Sequence, residues 1–229
     1  KAAGITSIAC ASTGDTSASA AAYAAAAGMK CVVFVPKGMI TDEQAAQLYA
    51  YGATIVWVPG TFDDCMKIVE KLTAEGRVFP ANSINPTRIE GHMSTVFLAA
   101  QQFDWNLPDW FAVPLGNGSN ASSVGKGIQT LREYGLIRGH RQECRILGAQ
   151  TSSANPLAAS WAITEKAGLQ NSFRAWRSQY EPGVGTHEPT TASAQKIEYP
   201  VSWEKVIREV EKSDGAALTS EEPDLNEAL

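Results

Sequence analysis

The stretch Ile5-Thr6-Ser7-Ile8-Ala9-Cys10-Ala11, followed by Ser12-Thr13-Gly14-Asp15 and then by small residues from Thr16 to Ala27, decides the fold class. Its first seven residues are a short, bounded apolar run, as expected of a parallel strand buried on both faces. The next four suit a tight turn that ends in a helix cap. From Thr16 to Ala27 nearly every residue is Ala or Ser and only Tyr23 is large, so a helix is predicted, stopped by Gly28. The unit then recurs. Cys31-Val32-Val33-Phe34-Val35 reads as a strand, and Asp42 to Tyr51 as a helix capped by Thr41 or Asp42. Thr54-Ile55-Val56-Trp57-Val58 is a further strand, and Phe62 to Glu75 a helix with Met66, Val69 and Leu72 on one face. Strands alternating with helices across short loops specify an α/β fold, a parallel sheet covered on both faces.

The rhythm continues with Val78-Phe79-Pro80, a turn-rich loop from Ala81 to Pro86, and one helix from Thr87 to about Phe103. Trp110 to Pro114 and Arg145 to Ala149 read as strands, with a helix from Ala121 to Tyr134 between them. Periodicity is lost from Ser172 to Thr190, which reads as a long surface loop, and returns in an amphipathic helix from Val201 to Lys212. The expected boundary near residues 100–108 divides the chain into a small βαβ lobe, 1–100, and part of a larger lobe, 101–229.

Composition narrows the function classes. Of 229 residues, 44% are hydrophobic and 19% charged, a globular balance. The net charge of −5 lacks the clustered Lys and Arg of a nucleic-acid surface, so no nucleic-acid partner is expected. No stretch approaches the ~18 apolar residues of a membrane span, and no signal peptide precedes Ile5. Cys10, Cys31, Cys65 and Cys144 lie far apart without a C-x-x-C pair. They predict no metal site and suit a reducing, cytoplasmic compartment.

Two strand-to-helix junctions are rich in Gly, Ser, Thr and Asn, at the strand ends where ligands of parallel sheets bind. Gly116-Asn117-Gly118-Ser119-Asn120 reads either as an anion cradle at a helix N-terminus or as an ordinary capped turn. It has no Lys after its glycines, so it is not an NTP-type P-loop. Ser12 to Thr16 reads either as a capping motif or as a helix end that approaches a ligand. Arg88, five residues after Ser83, is either a second anion clamp or a surface residue of a helix start. His92, His140 and His187 are scattered and form no catalytic set.

Three motifs now carry a resemblance. Cys10-Ala11-Ser12-Thr13-Gly14-Asp15-Thr16-Ser17-Ala18-Ser19, Phe34-Val35-Pro36, and Ala81-Asn82-Ser83-Ile84-Asn85-Pro86-Thr87-Arg88-Ile89-Glu90-Gly91 resemble the threonine synthases. These are pyridoxal-phosphate enzymes of the two-lobed, tryptophan-synthase-β-like fold (fold type II). The likeness continues through Gln102 to Trp105, Pro108 to Trp110, Ala154 to Leu157, Thr191 to Ala194 and Pro200 to Trp203. It implies conversion of O-phospho-L-homoserine and water to threonine and phosphate by a cytoplasmic homo-oligomer. It also implies that Asp15 meets the 3′-oxygen of pyridoxal 5′-phosphate, and that Gly116, Asn117, Gly118, Ser119 and Asn120 bind the cofactor's phosphate. Ser12, Thr13, Thr16, Ser83 and Arg88 would hold the phosphate of the substrate.

Leu115 and Ser119 depart from the family's Gly-Gly-Asn-x-Gly-Asn pattern. The family's catalytic lysine, in a Ser-Phe-Lys-Asp segment, has no counterpart in these residues, so the resemblance is to an internal portion and assigns no catalytic residue. The alternatives are another enzyme of the same fold, such as a threonine dehydratase, or a non-catalytic module that binds a phosphorylated ligand or a partner chain.

Overall fold

The structure is a computed structural model that describes residues 4–12, 14–138, 143–169 and 172–228. The chain divides into two compact units, Lys1–Asn85 and Pro86–Leu229.

In the first unit β1 (Ser7–Ala11), α1 (Asp15–Ala26), β2 (Lys30–Pro36), α2 (Asp42–Ala50), β3 (Thr54–Val58), α3 (Phe62–Ala74) and β4 (Phe79–Pro80) alternate as the sequence predicts. The four strands are all parallel in the order β3-β2-β1-β4. Alternate side chains of each strand serve opposite faces of the sheet. Cys10, Val33 and Val35 pack with Ala21, Ala24 and Leu48 under α1 and α2. Ala9, Ala11 and Phe34 pack with Cys65, Met66 and Val69 under α3. Two apolar layers therefore sandwich one sheet, which is why β1 and β2 lack an apolar-polar alternation. Thr41 and Thr61 cap α2 and α3, each accepting the N–H three residues on while Gln44 or Asp64 answers the cap's own N–H.

The second unit holds α4 (Pro86–His92), α5 (Ser94–Gln102), β5 (Trp110–Pro114), α6 (Ser119–Glu133), β6 (Arg145–Thr151), α7 (Pro156–Lys166), α8 (Phe173–Gln179), α9 (Trp203–Lys212), β7 (Ala216–Ser220) and α10 (Glu222–Glu227). Its parallel strands run in the order β5-β6-β7. One core gathers Val96, Leu115, Ile128, Leu131, Ile146, Leu157, Trp161, Trp176, Val206 and Ile207.

Three features differ from the sequence reading. The single helix expected from Thr87 to Phe103 bends at Met93 into α4 and α5, although Met93 N–H still donates to Ile89 and Phe97 N–H to Met93. The expected surface loop from Ser172 to Thr190 contains α8, capped by the Ser172 hydroxyl at 3.2 Å from Ala175 N. Trp176 anchors that helix, fully buried edge-on against Trp161, its indole N–H donating to Ser160 Oγ at 2.9 Å. The division falls after Asn85 rather than near 100–108, because α4 and α5 pack on α6. No helix among the described residues is long and apolar enough to cross a membrane.

Candidate functional site

In the first unit the end of β1 is extended by a side chain. Strand β4 stops at Pro80, one rung short of Ala11. The Asn82 carboxamide supplies the missing rung: its Oδ1 accepts Ala11 N–H at 2.8 Å and its Nδ2 donates to Ala11 O at 2.7 Å. Asn82 and the neighbouring Ser83 are both buried. Sequence reading took Asn82 as a turn former, because its partner lies 71 positions away.

The loop that follows is braced by Ser12. Its buried hydroxyl accepts the N–H groups of Gly14 at 3.1 Å and Ser17 at 3.2 Å and donates to Gly14 O. Ser17 Oγ also donates to Gly14 O. Both hydroxyls thus shape the turn that launches α1. Asp15 is exposed in the first turn, and Thr16 beside it is half-buried. Thr13 lies outside the described residues.

In the second unit the glycine-rich loop joins β5 to α6. Leu115 is buried, its N–H donating to Ala149 O at 2.7 Å, which carries the chain off the sheet. Gly118 adopts φ 85° as the residue before α6. A side chain there would be strained, and its Cβ would come within 2.5 Å of Val206 Cγ2. The helix ladder begins with Ser122 N–H to Gly118 O at 3.2 Å. The main-chain N–H groups of Gly116, Asn117, Gly118, Asn120 and Ala121 donate to no acceptor among the described residues. The loop's carbonyls are occupied instead: Asn117 O accepts Ser202 N–H at 3.0 Å, and Gly118 O accepts the Ser122 hydroxyl at 2.7 Å. Main-chain donors at the positive end of a 15-residue helix have the chemistry that suits an anion. Ser119, the departure from a glycine pattern, is the first residue of α6 and does not adopt a positive φ, so the substitution leaves the turn intact.

Arg88 is half-buried on α4, and His92 lies one turn beyond it. Burial, and then the charge of Arg88, lower the His92 pKa from its usual 6.5. Lys126 of α6 is ion-paired with Glu90 of α4, so that amine is committed to a carboxylate. Gln150, buried on β6, is a brace that sequence reading did not find. Its Oε1 accepts the N–H groups of Leu157 at 2.8 Å and Ala158 at 3.0 Å, while Nε2 donates to Leu115 O at 3.3 Å. It ties the first turn of α7 to the root of the glycine-rich loop. A cavity of about 380 Å³, lined by Arg132, Cys144, Glu209 and Lys212 among others, includes no residue of that loop. The described residues contain no His, Cys, Asp and Glu cluster able to hold a metal ion.

Comparison with known proteins agrees with this architecture. The chain is 35% identical over 221 residues to threonine synthase 2, chloroplastic, of Arabidopsis thaliana, covering 96% of this chain and 40% of that protein. It is 37% identical over 212 residues to threonine synthase of Bacillus sp. (strain ULM1), covering 93% and 53%. It therefore spans about half the length of the curated relatives it matches. Among solved structures, maize serine racemase superposes with a TM-score of 0.69 at 16% identity, covering 98% of this chain and 59% of that one. The T.th. threonine deaminase does so at 0.66 and 19%, covering 98% and 65%. These neighbours give the fold, that of the fold-type II enzymes. The family model for pyridoxal-phosphate dependent enzymes matches residues 1–221, and the chain belongs to that family.

Proposed function

We propose that this chain is part of a threonine synthase, which converts O-phospho-L-homoserine and water to L-threonine and phosphate. The observation that carries the reading is the glycine-rich loop: the N–H groups of Gly116, Asn117, Gly118 and Asn120 donate to no acceptor among the described residues, and with left-handed Gly118 they suit a phosphate monoester. Gly116, Asn117, Gly118, Ser119 and Asn120 would hold the phosphate of pyridoxal 5′-phosphate, and Asp15 its 3′-oxygen. The cofactor, when bound, supplies an electron sink for carbanion chemistry. The protein's part is binding and orientation: Ser83, Thr13, Thr16 and Arg88 take the substrate phosphate. Arg88 contributes the charge-assisted contact that recognises a dianion. Ser12 serves that site through the turn, since its hydroxyl is spent on Gly14 and Ser17.

The four cysteines are buried and form no disulfide among the described residues, which supports a reducing, cytoplasmic compartment. Assembly as a homo-oligomer is part of the same proposal. The test is product analysis with the full-length protein supplied separately with O-phosphohomoserine and with threonine. Threonine and phosphate from the first substrate are expected. Release of 2-oxobutanoate from threonine, with no reaction of the phosphorylated substrate, would replace this reading by the deaminase one.

A further inference from the structure

The residues between α8 and α9 form a strap that lies along the ligand end of the second sheet. Its first half is tied to the turn after β6: Val184 O accepts Asn155 N–H, and the N–H groups of Thr186 and His187 donate to Ser152 O and Ser153 O. Ser153 Oγ donates to Glu188 O at 2.7 Å, and Thr151 Oγ1 to Thr190 Oγ1 at 3.1 Å. Lys196 draws the returning limb onto the outgoing one, donating to His187 O at 2.9 Å and Glu188 O at 3.1 Å. The strap then passes the glycine-rich loop. Ala194 O lies 3.3 Å from where a Gly116 Cβ would stand, and Asn117 accepts from Val201 N–H and Ser202 N–H. A side chain at position 116 would press against the strap's main chain.

Beside the Thr151–Thr190 contact, the tip of the strap has a second long-range anchor. Glu222, the first residue of α10 and two positions beyond β7, accepts Thr191 N–H on its Oε1 at 2.6 Å. That N–H, then the hydroxyls of Thr190 and Thr191, hold the Glu222 carboxyl below its usual range. The bond joins two segments 31 residues apart and lies three residues before Ala194. Charge-assisted acceptance of a main-chain N–H is the strong form of this contact.

We infer that Glu222 is a positioning residue: its carboxylate pins the strap at Thr191 and thereby holds Ala194 over Gly116, setting the shape in which the loop's amides receive phosphate. The inference deepens the phosphate reading of that loop and rests on it.

The test uses the full-length protein in three forms, Glu222→Ala, Glu222→Gln and, as a control on the same helix, Glu227→Ala. Two quantities are measured: hydrogen exchange of the amides from residue 190 to 195, and the affinity of the apoprotein for pyridoxal phosphate followed by its visible absorbance. Glu222→Ala should accelerate exchange in this segment about tenfold or more and weaken cofactor binding about five- to tenfold, with an altered absorbance of the bound form. Glu222→Gln keeps a neutral acceptor and should recover most of both losses, whereas Glu227→Ala should change neither. Unchanged exchange in Glu222→Ala, or faster exchange with cofactor affinity within twofold of the parent, would overturn the assignment. Failure of the unmutated protein to bind the cofactor would instead refute the phosphate reading, and the pinning would then be judged on exchange alone.

Discussion

Asn82 shows how one side chain can finish a sheet. Ala11 has both main-chain groups buried at the point where β4 has run out, and a carboxamide is the one uncharged side chain with a donor and an acceptor spaced like a peptide. Asn82→Ala would strand both groups and should cost about 2–4 kcal/mol, since each unsatisfied buried group costs roughly 1–3 kcal/mol. Chemical denaturation measures this, and a loss under about 1 kcal/mol would show that water replaces the amide. Arg88 is tested by activity. In the full-length protein Arg88→Ala should lower kcat/KM for the phosphorylated substrate by about 2–4 kcal/mol, and activity within about twofold of the parent would remove it from the site. His92 bears on pH. Its pKa is lowered in the fold by burial and by Arg88, so the unfolded chain binds its proton more readily. Stability from this group is complete above its usual 6.5 and is lost as pH falls from there through the lowered value. Denaturation midpoints measured between about pH 7.5 and 5 should fall with pH, and His92→Gln should flatten that fall. An identical slope in both proteins would assign the pH effect to other groups.

At the scale of elements, helix α6 owes its ligand end to the residue before it. Gly118 has φ 85° and faces Val206, so no other residue fits both its backbone and its space. Gly118→Ala should destabilise the fold by about 2–4 kcal/mol, combining left-handed strain with overpacking against α9. It should also abolish phosphate binding, and a well-folded variant of full affinity would contradict the cradle. The strand-turn-helix pattern around both loops was legible because it is local: Gly, Ser, Thr and Asn between an apolar run and a helix have few other uses. Helix α8 was not legible. It has seven residues and one buried anchor, Trp176, too few for a period to register. Gln150 escaped notice for a related reason, since a polar residue within a strand reveals nothing until α7 is seen to begin above it.

For the molecule as a whole, the first unit was read almost completely because β1 and β2 each pair in parallel with the next strand across a single short crossover. The second unit was read in part, because its third strand, β7, joins β6 only after a connection that includes α7, α8, the strap and α9. That long return is also what carries the strap past Gly116, so the least legible part of the chain borders the candidate site. Family membership follows from the match over residues 1–221, while the central functional claim is local: the backbone of Gly116 to Asn120 receives a phosphate group. The most direct measurement is a crystal structure of the full-length protein with pyridoxal phosphate bound. Phosphate oxygens are expected at about 2.7–3.2 Å from main-chain N–H groups of Gly116 to Asn120, with Gly118 still left-handed. A cofactor phosphate held elsewhere, with these N–H groups turned to solvent, would contradict the claim.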